Sequence, residues 1–181
     1  MIQISYAFMI IAITVIWILV RIYICKKKNL INWKRELQLI LVYICIIVVA
    51  RFVFFPFEKV DGKVQLLIFD IVKAFPVRIN LIPFVNLLDY QILSEAKLNI
   101  IGNTAMFIPI GVIWPVVFKE LNTHKKVIAA GAGFSLCIEI LQLPFYDRVS
   151  DADDLMLNTI GFIIGYILYI VVKKAIKKKE R

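Results

Sequence analysis

Five apolar runs divide this chain, at residues 2–24, 37–55, 98–118, 127–145 and 155–172. Each approaches the roughly 20 mostly apolar residues that a helix needs to cross a bilayer. Lipid offers no hydrogen-bond partners to a backbone, so runs of this length predict helices rather than barrel strands. The second run carries Arg51 near one end, and the fourth carries Glu139. The stretch 56–97 between the second and third runs is also rich in apolar residues, in one group from Leu66 to Val72 and another from Val85 to Leu93. Charges interrupt both groups, so the pattern predicts an interfacial amphipathic helix or a re-entrant segment there. Pro83 pushes Ile82 towards an extended conformation, which puts a kinked loop between the two groups. The expected fold class is all-α: a polytopic transmembrane helix bundle of about five spans, forming a single membrane domain over residues 1–181.

Composition agrees with this pattern. The chain has 181 residues, 61% of them hydrophobic, with a mean hydropathy of +0.85. The net charge is +9, and its placement matters more than its size. Lys26, Lys27, Lys28, Lys34 and Arg35 separate the first two runs. Lys119, Lys125 and Lys126 separate the third and fourth, and Lys173, Lys174 and Lys177 onward follow the fifth. If all five runs cross, these segments share one side, which the positive-inside rule makes cytoplasmic. The N-terminus then lies outside, the C-terminus inside, and the protein sits multi-pass in the cytoplasmic membrane. The basic segments read as topology signals with an attraction to anionic lipid, and not as a nucleic-acid surface. The first run lacks a basic start and a small-residue cleavage pattern, so it is expected to be a retained helix rather than a signal peptide.

Little points to metal or redox chemistry. Cys25, Cys45 and Cys137 are odd in number and lack any Cys-x-x-Cys or Cys/His metal spacing, so neither a disulfide framework nor a thiolate site is expected. His124 lies in a loop beside Lys125. Asp147, Asp151, Asp153 and Asp154 supply the oxygen donors that suit Mg²⁺ or Ca²⁺. Their order does not match an EF-hand, and acidic residues at a helix start are explained by capping and the helix dipole. No metal or cofactor is expected.

Glu139 is the outlier, because an ionisable residue inside a spanning helix is expensive and marks a candidate site. Ser135, Glu139 and Gln142 share one helix face; Asn99 and Asn103 share another. Asp151, Asp154, Asn158, Gly161 and Gly165 follow steps of three and four and make one stripe. Ser150 with Asp153 three residues on resembles a capping box for the fifth helix, and Gly161 with Gly165 forms the Gly-x-x-x-Gly pattern of close helix packing. At about 1.5 Å rise per residue, the polar residues and Arg51 lie within roughly 10 Å of their outer helix ends. If the stripes meet, they line an outward-facing polar pocket of Asn80, Asn103, Glu139, Gln142, Asp151, Asp154 and Asn158, with Arg148 at its rim. Arg51 or Arg78 offers a second positive charge.

Three chemistries fit such a pocket. The polar groups can hold the helices together, with Glu139 paired to an arginine. They can recognise or act on a lipid headgroup, Arg148 binding phosphate through its fork of donors and Glu139 or Asp154 orienting a hydroxyl or serving as a base. Or they can form part of an ion pathway, against which stands the lack of charged residues in the inner half of the spans.

Taken in order, Asn80-Leu81-Ile82-Pro83-Phe84, Gly102-Asn103, Phe107-Ile108-Pro109-x-Gly111, Glu139-x-x-Gln142, Arg148-x-x-Asp151-x-Asp153-Asp154 and Asn158-x-x-Gly161 resemble the VanZ-like family of bacterial membrane proteins. The resemblance covers roughly residues 80–172. It implies a multi-pass protein of the cytoplasmic membrane, of a low-GC Gram-positive cell given the Ile/Lys-rich composition, and a part in resistance to teicoplanin and related lipoglycopeptides. The implied partner is a membrane lipid, a lipid-linked cell-wall precursor or the lipoglycopeptide itself. A membrane enzyme acting on a lipid headgroup, and a structural partner subunit, stay open beside it.

Overall fold

The computed structural model describes residues 2–28, 31–55, 59–60, 62–70, 72, 75, 78–83 and 93–180. Its elements are β1 (Ile2–Ile4), α1 (Tyr6–Lys28), α2 (Trp33–Phe54), β2 (Lys59–Val60), β3 (Lys63–Val64), β4 (Leu67–Phe69), β5 (Ile79–Asn80), α3 (Leu93–Val117), α4 (His124–Gln142), β6 (Ser150–Asp151) and α5 (Ala152–Lys179). Long helices dominate, as the apolar runs predict. Among the described residues four helices are long and apolar enough to cross a membrane: α1, α2, the 97–117 part of α3, and α5. The shorter α4 carries Lys125, Lys126 and Glu139. The chain forms two compact units, residues 1–75 with 144–148, and residues 76–143 with 149–181.

In the first unit, α1 and α2 run antiparallel, as the pairing of Thr14 with Tyr43 (2.6 Å) and of Arg21 with Glu36 requires. Asn32 caps α2 by accepting the Arg35 N–H. No residue of α1 is buried, and Phe8, Ile11 and Tyr23 are more than 60% exposed. An apolar surface of this extent suits lipid rather than water. The small core is at the far end of the pair, where Ala50, Phe54, Phe55 and Leu67 pack with Tyr6 and Phe145.

The segment around Leu67 departs from the expected helix or re-entrant turn. β4 pairs antiparallel with β1, Ile2 opposite Phe69 and Ile4 opposite Leu67. A three-residue strand satisfies its backbone through this partner, a route that neighbouring sequence alone does not reveal. Gly62, at φ 74°, turns β2 into β3. The second apolar group, from Val85 to Ile92, lies outside the described residues.

The second unit is built on α3, α4 and α5. α3 and α5 run parallel, with their backbones in direct approach. A Cβ on Gly161 would stand 2.0 Å from the Thr104 carbonyl oxygen, and one on Gly165 equally close to that of Ile108. Gly111 meets the Phe162 carbonyl in the same way. The Gly-x-x-x-Gly pattern thus serves the close packing expected of it. α3 continues through Pro109 and Pro115 to Val117. α4 lies antiparallel to α5 and buries one stripe, Val127, Gly131, Ser135, Ile138, Glu139 and Gln142. Gly131 makes room for the fully buried Phe162 ring, which also meets Trp114 at 5.7 Å between centroids.

These glycines generate a test. Gly161→Ala and Gly165→Ala should each destabilise the purified protein by about 1–3 kcal/mol, since the backbone opposite has no side chain to swing away. Gly133→Ala, with nothing within 4 Å of the added carbon, should be neutral or slightly stabilising. Thermal unfolding in detergent reads the difference. Equal behaviour of all three would refute the close approach.

Candidate functional site

At the end of the second unit where α3 and α5 begin and α4 finishes, polar side chains from five elements meet. β5 and β6 pair in parallel there, Ile79 opposite Ser150 and Asn80 opposite Asp151, with the Ser150 N–H donating to the Arg78 carbonyl at 3.0 Å. This pairing sets Asn80 beside the start of α5.

Asp151 is the hub. Its Oδ1 accepts the Asp153 N–H at 2.9 Å, which makes Asp151 the N-cap of α5. Capping therefore falls to Asp151 and not to Ser150 as the capping-box spacing suggests. Its carboxylate also accepts from Asn80 Nδ2 at 3.3 and 3.4 Å. Its own N–H donates to Glu139 Oε2 at 2.9 Å. The Ser150 hydroxyl donates to the same glutamate, and the carboxylates of Asp154 and Asp151 stand close enough to act on it electrostatically. Glu139 is 3% exposed. Backbone and hydroxyl donors thus serve its carboxylate in the described geometry.

Two further bonds join helices. Asn103 Nδ2 donates to Asp154 Oδ1 at 2.5 Å, linking α3 to α5, and to Asn99 Oδ1 at 2.6 Å within α3. Asn158 Nδ2 donates to Ser135 Oγ at 3.0 Å, linking α5 to α4. Asn158 is 2% exposed, and its Oδ1 has no partner. Gln142 is buried on the face it shares with Glu139. Asn80 Oδ1 accepts the Ile82 N–H at 3.2 Å and so shapes the turn before Pro83.

Seven of the eight candidates read from the sequence thus belong to the second unit, and Arg148 belongs to the first. Arg148 Nη2 donates to the Phe54 carbonyl at 2.8 Å, while its buried Nε has no partner. Burial pushes its guanidinium below the ordinary value, and neighbouring Asp147 offsets part of that. Arg51 caps its own helix, donating to the Phe55 carbonyl at 3.0 Å. Among the described residues no group of three or more His, Cys, Asp and Glu side chains has the geometry to hold a metal ion. The three cysteines are free thiols.

The sequence reading passed over two partnerships. Arg21 and Glu36 form an ion pair across the α1–α2 hairpin, each side chain 20% exposed, with Cys25 Sγ 3.7 Å from the same carboxylate. One charge of each sign on either side of the turn between two apolar runs was the available signal. Ser150 acts as a donor to Glu139, which a search for helix periodicity does not find because Ser150 precedes the helix.

Against this geometry, a family model described as VanZ/LLP1 matches residues 40–173. Protein VanZ of Enterococcus faecium is 30% identical over 118 residues, which cover 65% of this chain and 68% of that protein. No solved structure matches. The chain therefore belongs to the VanZ/LLP1 family. The match opens inside α2, earlier than the resemblance over 80–172, and takes in both units.

The Glu139–Asp151 bond predicts a stability pattern. Glu139→Gln keeps an acceptor for the Asp151 N–H and should unfold within about 1 kcal/mol of the parent. Glu139→Leu leaves that N–H unsatisfied and should cost about 1–3 kcal/mol. Thermal unfolding of the detergent-purified variants separates the two, and equal losses would mean that the bond carries no stability.

Proposed function

We propose that this membrane protein lowers bacterial susceptibility to teicoplanin and related lipoglycopeptides. It does so by binding a lipid, a lipid-linked cell-wall precursor or the drug in the outer leaflet, at the polar layer of α3, α4 and α5. The observation that carries this reading is the burial of Glu139 within a set of acceptors: the carboxylates of Glu139, Asp151 and Asp154 and the unpartnered Oδ1 of Asn158. Acceptors of this kind suit hydroxyl and ammonium donors, which sugar headgroups, peptide precursors and glycopeptides all carry. They do not suit phosphate. The Arg148 guanidinium, engaged with the Phe54 carbonyl, is therefore not needed as a phosphate fork. Family membership adds support through the relative named VanZ.

A structural reading is favoured by a specific observation of its own: Asn103–Asp154, Asn158–Ser135 and Asp151–Glu139 each tie two elements together. Such bonds in membrane proteins are worth about 0.6 kcal/mol on average. Substitution distinguishes the two readings, because Glu139→Gln retains the tie and removes the charge.

Expressed in a Gram-positive host, the chain should raise teicoplanin resistance more than vancomycin resistance, and an equally expressed Glu139→Gln variant should lose the effect. Loss of one charge-assisted bond, about 1.5–3 kcal/mol, corresponds to roughly tenfold or more in ligand affinity. No protection by the parent, despite correct insertion, would sink the resistance reading. Full protection by the variant would leave the layer structural. Orientation has a separate check: single cysteines at Tyr146 and Val149 should be labelled from outside in intact cells and one at Asn122 protected, and the reverse pattern would overturn the outer-leaflet placement.

A further inference from the structure

At the opposite end of the second unit, α3 and α5 part to leave a cleft of about 1120 Å³. This exceeds the roughly 300–1,000 Å³ of most small-molecule pockets. Its walls are apolar along most of their length, with Val112 and Val116 on α3 facing Leu168 and Val172 on α5. Its mouth is basic: Lys119, Lys173 and Lys177 line it, with a lone acid, Glu180, at the last turn. From Ala152, α5 takes 21 steps to Lys173, about 32 Å at 1.5 Å per residue and close to the roughly 30 Å hydrocarbon core. The apolar walls thus lie at acyl-chain depth and the lysines at headgroup depth. Tyr169 sits under the Lys173 ammonium at 5.5 Å, and Tyr166 stacks beside it at 6.2 Å while holding His124 Nδ1 at 2.9 Å. These contacts stiffen the mouth from the side of α5.

We infer that this cleft seats one anionic phospholipid of the leaflet opposite the polar layer, its acyl chains between α3 and α5 and its phosphate among Lys119, Lys173 and Lys177. Charge complementarity selects this occupant. A zwitterionic lipid offers the same phosphate but brings a headgroup cation among the lysines, which an anionic lipid does not. A second copy of the chain would bring its own Lys173, Lys174, Lys177, Lys178 and Lys179 against them. Single basic residues near a surface each strengthen anionic-lipid binding about fivefold, so the three that line this cleft favour a lipid of net negative charge.

The test uses the full chain in detergent, titrated with dioleoyl phosphatidylglycerol or dioleoyl phosphatidylcholine and read by native mass spectrometry. Lys119→Gln/Lys173→Gln/Lys177→Gln is compared with Lys26→Gln/Lys27→Gln/Lys28→Gln, which removes equal charge from the end of α1. A third variant, Val116→Trp, fills the apolar wall with the lysines intact. One phosphatidylglycerol should be retained in preference to phosphatidylcholine by the parent and the α1 variant. The cleft triple should lose at least about tenfold in affinity, and Val116→Trp should lose it too. The lysine triple alters exposed positions and carries the test if the tryptophan variant fails to fold. Equal retention of the two lipids, equal loss in the two lysine triples, or a dimer occupying the cleft in place of lipid would each overturn the proposal.

Discussion

The approach of α3 and α5, backbone to backbone through Gly111, Gly161 and Gly165, is the constraint on which the second unit depends. Between helices in lipid no hydrophobic force operates, and association rests on packing and interhelical hydrogen bonds. A Cβ at any of the three positions would collide with a carbonyl, so the glycines set both the distance and the register. At that distance the short side chains of Asn103 and Asp154 reach one another. The same contact requires the fully buried Phe162 to point towards α4, where Gly131 admits it. α4 is thereby fixed with Ser135 opposite Asn158 and Glu139 opposite the start of α5.

Polar groups inside such a bundle are tolerated only where they satisfy one another. Asp151 shows how few residues this takes. Its N–H serves Glu139, its carboxylate caps α5, and the same carboxylate holds Asn80. The arrangement leaves an exception in Asn158 Oδ1, buried and without a partner. An unmet buried acceptor costs about 1–3 kcal/mol. It is also a place where a donor from outside would gain more than it does in water, and the proposed ligand role draws on it.

Much of this was legible in the sequence because helices in lipid follow simple periodicities. The long apolar runs fix the helices, and the three- and four-residue spacing of Glu139, Gln142, Asp154, Asn158, Gly161 and Gly165 identifies the inward faces. What the sequence did not disclose depends on partners that are far away along the chain or lie outside helices. The pairing of β1 with β4 joins residues more than sixty positions apart. The cap at Asp151 depends on the extended backbone that β5 imposes on β6, whereas the spacing alone points to Ser150. Arg148 reads as a candidate from its neighbours Asp151 and Asp154; that its side chain donates to the Phe54 carbonyl, 94 positions away within the first unit, has no local signal.

Helix direction sharpens the case for Glu139. α3 and α5 bring their N-termini to the polar layer, and the partial positive charge there favours carboxylates such as Asp151, Asp153 and Asp154. Those residues have a sufficient reason to be acidic in helix stability alone. α4 brings its C-terminus, with partial negative charge, to the same layer. A carboxylate in its last turn is opposed by its own helix, buried from water and close to two other acids. A glutamine would accept the same Asp151 N–H without those penalties. The acid at Glu139 is thus the feature of the layer that structural stability does not account for, and it is the feature on which the proposed role most directly rests.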